Sequence, residues 1–142
     1  MAAQLNTLLR AAAREHVCPV PPVPGAVSAI RRGAAAALAE WNVSPEIVED
    51  GLLVVSELAT NAVIHARPPA ELRLSWEASD AGGTLRVEVT DAGPARPAGQ
   101  SPGWLDPDEH GRGEAIVHAL ATRHGIRVGR GGVTRWAELV AV

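Results

Sequence analysis

The chain has 142 residues, is 46% apolar and 20% charged, and carries a net charge of −3 at neutral pH, which describes one globular domain with enough apolar mass to bury a core. All 13 basic residues are Arg. That excludes P-loop, eukaryotic-type kinase and Schiff-base sites, each built on a Lys. Phe and Tyr are also absent, so single-stranded nucleic-acid platforms of those rings are excluded, and the acidic balance lacks a basic nucleic-acid footprint.

Residues 1–15 are Ala-rich, with Leu5, Leu8 and Leu9 on one side, and read as a short helix or a frayed tail. The domain is therefore placed at 18–142, with 1–17 outside it. No basic segment followed by an apolar run marks a secretory signal, and no run approaches the roughly 18 residues of a membrane span. Cys18 is the one cysteine, so no intrachain disulfide forms and a reducing cytoplasm is expected.

Cys18 to Pro24 holds four prolines and reads as an extended lead-in or edge strand. From Gly25 to Trp41, Val27, Ile30, Ala34, Ala37, Leu38 and Trp41 recur at helical spacing. Asn42 to Pro45 is a break. Ser44 suits an N-cap and Pro45 the first helical position of a second helix, which runs to about Ala66 and stops before Pro68 and Pro69.

The period then changes to two. Leu72, Leu74 and Trp76 alternate with polar residues, Gly82-Gly83 reads as a turn, and Leu85, Val87 and Val89 alternate again, giving a hairpin. Ala92 to His110 is Gly-, Pro- and Asp-rich and reads as a long functional loop. A helix over Gly111–His124 follows, stopped by Gly125, and then a closing hairpin around Gly131-Gly132. The fold class is α+β, most simply a mixed, mostly antiparallel sheet with helices on one face. Trp41, Trp76 and Trp136 lie in apolar patterns and read as core. Trp104 falls in the long loop. The histidines show no metal-ligand spacing with Cys18, so no zinc site is expected.

Three features carry chemistry. Glu57, Asn61 and His65 fall within an arc of about 80° on the second helix. A carboxylate and an amide oxygen one turn apart can share a hydrated divalent cation, and the carboxylate can accept a proton. The alternative is a plain solvated helix face. Asp91-Ala92-Gly93 closes a strand. Its Asp can accept from the amino group of a base, with Gly93 allowing close approach to a ring, or it is an ordinary Asx turn. Gly111-Arg112-Gly113 opens a helix, as an anion site or as a simple helix start.

The series Glu-x-x-x-Asn, Asp-x-Gly, Gly-x-Gly and a late-strand Thr resembles the sequence boxes of the GHKL, or histidine-kinase-like, ATPase superfamily. The segments carrying it are LVVSELATNAVIHA (53–66), LRVEVTDAG (85–93), GRGEAIVHALATRHGI (111–126) and GGVTRWAEL (131–139). Within the superfamily the match is similar to the anti-sigma-factor serine/threonine kinases of the actinobacterial type. The resemblance implies a two-layer Bergerat sandwich that binds ATP and Mg²⁺. It implies Asn61 as the Mg²⁺ ligand, Glu57 as the base, Asp91 and Gly93 at the adenine with Thr134 in support, and His65 in the adenine pocket. Gly111, Arg112 and Gly113 would cradle phosphates, under a lid over 94–110. The implied partners are a sigma factor and an anti-anti-sigma protein of the STAS type, with neither nucleic acid nor membrane. Relatives commonly form homodimers, and no interface signature marks one here. Two positions depart from the boxes: Ala95 stands where Gly is frequent, and Glu114 where an apolar residue is usual. They keep a second reading open, a non-catalytic ATP-sensing module of the same fold.

Overall fold

The computed structural model describes residues 14–94 and 107–141, with side chains for 14–94 and 113–141. The expectations for Leu5 to Leu9, Ala95 and Trp104 lie outside the described residues. In chain order the elements are β1 (Arg14–Pro19), α1 (Ala26–Glu40), α2 (Pro45–His65), β2 (Glu71–Ser79), β3 (Gly82–Asp91), α3 (Pro107–Leu120), β4 (Arg123–Gly129) and β5 (Gly132–Ala141). The strands form one sheet in the order β1-β2-β3-β5-β4. Every pairing among the described strands is antiparallel, so the sheet is not mixed.

Strand alternation builds the core. Leu72, Leu74 and Trp76 of β2, Leu85, Val87 and Val89 of β3, and Ala137 and Leu139 of β5 point to one face and are buried. Against them pack Ile30, Ala34 and Leu38 of α1 and Val54, Val55, Leu58, Ala59 and Ala62 of α2. Those residues recur at three- and four-residue spacing, which gives each helix one apolar stripe. Gly51 lets α2 approach the sheet, since a Cβ there would stand 2.6 Å from Leu85 Cδ2.

The helix ends follow local chemistry. Asn42, at φ 56°, turns the chain out of α1, and the Val43 N–H reaches back to the Leu38 carbonyl at 3.1 Å. In α2, Pro45 takes the first position, with Glu46 in the first turn and His65 in the last, each suited to the helix dipole. Ser44 is the N-cap, but its hydroxyl makes no capping bond.

The opposite face of the sheet is polar. Arg86 bonds Glu88 and also Glu138, the latter at 3.0 Å, and its guanidinium lies 4.4 Å from the Trp136 ring centroid. Arg123 donates to Glu138 as well. Trp136 is therefore not core. It sits in outward phase on β5, under Arg86, which stacks a cation on the ring.

Other boundaries shift for identifiable reasons. β1 begins at Arg14, so the sheet takes in residues that the sequence reading left in the tail. The β2–β3 turn is Asp80-Ala81, and Gly82 and Gly83 open β3 instead. A Cβ on Gly83 would stand 2.5 Å from Trp76, so that glycine makes room for the indole. Gly125 likewise lies within β4, where a Cβ would meet Trp136 at 2.9 Å, and α3 already ends at Leu120. The helix starts at Pro107, four residues before the expected Gly111. Pro suits the first helical position, and Asp108 and Glu109 suit the first turn, so the segment 107–110 carries its own helix-start signal.

Candidate nucleotide-binding site

Helix α2 runs behind the sheet and presents Glu57, Asn61 and His65 along one side of a cavity of about 950 Å³. The sequence spacing placed these residues together, and the structure puts all three on the cavity wall. Gly113 and His118 of α3 and Arg135 of β5 face them. Glu57 and Gly113 touch so closely that a Cβ on Gly113 would stand 2.6 Å from Glu57 Oε2.

Gly111 and Gly113 lie in the second turn of α3 and not at its N-terminus. The free N–H groups of that helix belong to its first turn, from Asp108 onward, since Pro107 has none. The expected glycine-lined helix entry is thus displaced by one turn.

Asp91 ends β3 and is buried, with 1% of its side chain exposed. Its Oδ1 accepts from the Gly93 N–H at 2.8 Å, an Asx-type turn, and Gly93 takes φ 107°, which only glycine adopts without strain. The turn is tied to the exit of α2: the Arg67 N–H donates to the Gly93 carbonyl at 2.8 Å, and the Ala92 N–H to the Arg67 carbonyl at 3.0 Å. This fastens the Asp91 segment to the helix bearing Asn61.

Asp91 and Gly93 are not among the residues lining the cavity, whereas Arg135 is. Arg135 Nη1 donates to Asp91 Oδ2 at 3.2 Å. Arg135 pairs with Val89 in the ladder and so is the diagonal neighbour of Asp91 on the same sheet face. The Asn61 amide satisfies its surroundings when its oxygen faces the same guanidinium, accepting from Nε at 3.2 Å and Nη1 at 3.3 Å.

Thr134 does not support Asp91 in this arrangement. It lies out of phase with Arg135, and its hydroxyl is 2.8 Å from that of Thr90 on the opposite face of the sheet. Arg135 was missed in the sequence. The signal was there: it is a charge in phase with Ala137 and Leu139 on an otherwise apolar strand face. A histidine pair was also missed. His118 Nδ1 and His124 Nε2 lie 3.0 Å apart beside the cavity, joining α3 to β4.

The oxygen donors fit a magnesium ion shared with phosphates. Mg²⁺ takes one or two protein oxygens and leaves its other positions to water and phosphate, and Glu57 and Asn61 supply such oxygens one helical turn apart. Among the described residues, no group of three or more His, Cys, Asp or Glu side chains is arranged to hold a metal by itself. No helix among them is long and apolar enough to cross a membrane.

A five-stranded antiparallel sheet with helices on one face, and a cavity between α2 and α3, defines the two-layer α+β sandwich of the GHKL type. The family model for the histidine kinase-like ATPase domain matches residues 20–137, and the chain belongs to that family. A solved structure similar in fold is the crystal structure of the RsbU and RsbW domains of Rv1364c from Mycobacterium tuberculosis, at 20% identity and a TM-score of 0.63. The match covers 89% of this chain and 32% of that one, so this chain spans about a third of its length. No curated protein matches.

Proposed function

We propose that the protein binds Mg-ATP in the cavity between α2 and α3 and acts as a serine/threonine kinase of the anti-sigma type. Its partners would be a sigma factor and a STAS-type anti-anti-sigma protein, whose serine accepts the phosphoryl group. The observation that carries the reading is the convergence of Glu57, Asn61, His65 and Gly113 on one cavity in a chain of the histidine kinase-like ATPase family. The similar structure, which holds an RsbW domain, adds support for the fold.

Each residue has a role that its position allows. The Asn61 oxygen would hold a magnesium ion, which would supply charge neutralisation at the phosphates. Glu57 accepts the proton of the attacking serine hydroxyl as the serine oxygen bonds to the terminal phosphorus and the bond to the departing ADP oxygen breaks. His65 lines the base end of the cavity. Gly113 keeps α3 close to Glu57, and Gly111 and Arg112 on the same helix are assigned to the phosphates. Asp91 and Gly93 are assigned to the adenine, once Arg135 has moved. Phosphoryl transfer asks mainly for positioning and charge compensation, which suits a site without Lys.

The test is transfer of labelled phosphate from ATP to STAS partners. Glu57→Ala should abolish transfer while keeping ATP binding, and full transfer by that variant contradicts the assigned base. A second reading, a non-catalytic ATP-sensing module, is favoured by Glu114, a carboxylate on the wall of a cavity meant for phosphates. Phosphorylation of any partner eliminates it.

A further inference from the structure

Both oxygens of Asp91 are already engaged by the protein. Oδ1 takes the Gly93 N–H at 2.8 Å, and Oδ2 takes the Arg135 guanidinium at 3.2 Å. With the Asn61 amide turned so that its oxygen faces the same guanidinium, that oxygen accepts from Arg135 Nε and Nη1 at 3.2 and 3.3 Å. Arg135 thus spans the two residues assigned to the opposite ends of a nucleotide. Asp91 is 1% exposed and Arg135 34% exposed, and of the two only Arg135 lines the cavity.

We propose that Arg135 is a latch. It bridges Asp91 and Asn61, and Mg-nucleotide binds only by displacing it. The inference rests on the nucleotide-binding reading above and adds the regulation of that site.

Charge makes the two states exclusive. A magnesium ion on the Asn61 oxygen and a guanidinium on the same oxygen are two cations at one acceptor. An amino group approaching Asp91 Oδ2 competes with Arg135 Nη1 for that oxygen. Only a competing ligand, or a partner that draws Arg135 away, releases the latch. The resting protein is thereby held at low nucleotide affinity, as expected when part of the binding energy goes into a competing internal contact.

Calorimetric titration of wild type, Arg135→Ala and Arg135→Gln with Mg-ATP tests this, with thermal melts alongside. Arg135→Ala should bind about tenfold more tightly than wild type, the scale of one charge-assisted contact removed from competition. Its unliganded melting temperature should fall, because the buried Asp91 carboxylate loses its cationic partner, and saturating Mg-ATP should raise that temperature more than in wild type. Arg135→Gln keeps a donor for Asp91 without the charge and should show a smaller gain. It decides the question if Arg135→Ala does not fold. Wild-type binding with equal or weaker affinity in the variants overturns the latch and leaves the nucleotide reading intact. No binding by any of the three overturns the nucleotide reading and the latch with it.

Discussion

Gly113 and Glu57 meet with no room between them: a Cβ on Gly113 would stand 2.6 Å from Glu57 Oε2. The contact joins α3 to α2 at the side chain assigned to proton transfer. The absence of a side chain at position 113 sets where that carboxylate rests.

Gly113→Ala should therefore separate stability from activity. The clash falls on the far end of a flexible side chain, so Glu57 yields cheaply. Alanine is favoured over glycine in a helix by up to about 1 kcal/mol. The variant should melt at or slightly above the wild-type temperature, yet lose roughly tenfold or more of its phosphoryl transfer, because a misplaced base forfeits orientation. Unchanged transfer at unchanged stability would remove the contact from the mechanism.

Gly51→Ala should behave in the opposite way. There the Cβ would meet Leu85 Cδ2 at 2.6 Å, and Leu85 is fully buried in the sheet core. A core that cannot yield is overpacked, at a cost of about 1–3 kcal/mol. Urea denaturation should show a lower midpoint with little change in slope. An unaltered midpoint would mean that α2 can ride away from β3 at no cost.

Glu138 gives a pH signature on the outer face. Burial alone would raise its pKa, but hydrogen bonds from Arg123 and Arg86 outweigh that and hold the carboxyl below its ordinary range. A depressed folded-state pKa contributes stability that is complete above the unfolded-state value and is lost as pH falls through the folded-state value. Wild type should thus lose stability in acid more steeply than Glu138→Gln. At neutral pH the variant should be weaker by about 1 kcal/mol, since Arg123 is mostly exposed and Arg86 partly so. Denaturation curves at neutral and acid pH check both points. Parallel pH profiles for the two proteins would show that the Arg86–Glu138–Arg123 cluster is not the source.

Much of this was legible in the sequence, and the limits have physical causes. Period-two alternation over Leu72–Trp76 and Leu85–Val89 gave the central hairpin, and the four-residue spacing of Glu57, Asn61 and His65 gave one wall of the cavity. Turn positions were harder. Gly82, Gly83 and Gly125 look like turn residues, but they open or occupy strands because Trp76, Trp136 and the backbone around Ala141 come too close for a side chain. The start of α3 was misplaced because the glycines at 111 and 113 outweighed the Pro-Asp-Glu signal at 107–109. The roles of Asp91 and Thr134 depend on sheet phase. Only the register of β3 with β5 shows that Arg135 shares a face with Asp91 while Thr134 turns away to Thr90.

The central claim is that the cavity beside Asn61 takes a magnesium nucleotide, and calorimetric titration of ATP with and without Mg²⁺ tests it most directly. Wild type should show one saturable site whose affinity rises when Mg²⁺ is present, and Asn61→Ala should lose that Mg²⁺-dependent gain. No binding by wild type, or an equal Mg²⁺ gain in Asn61→Ala, would contradict the account.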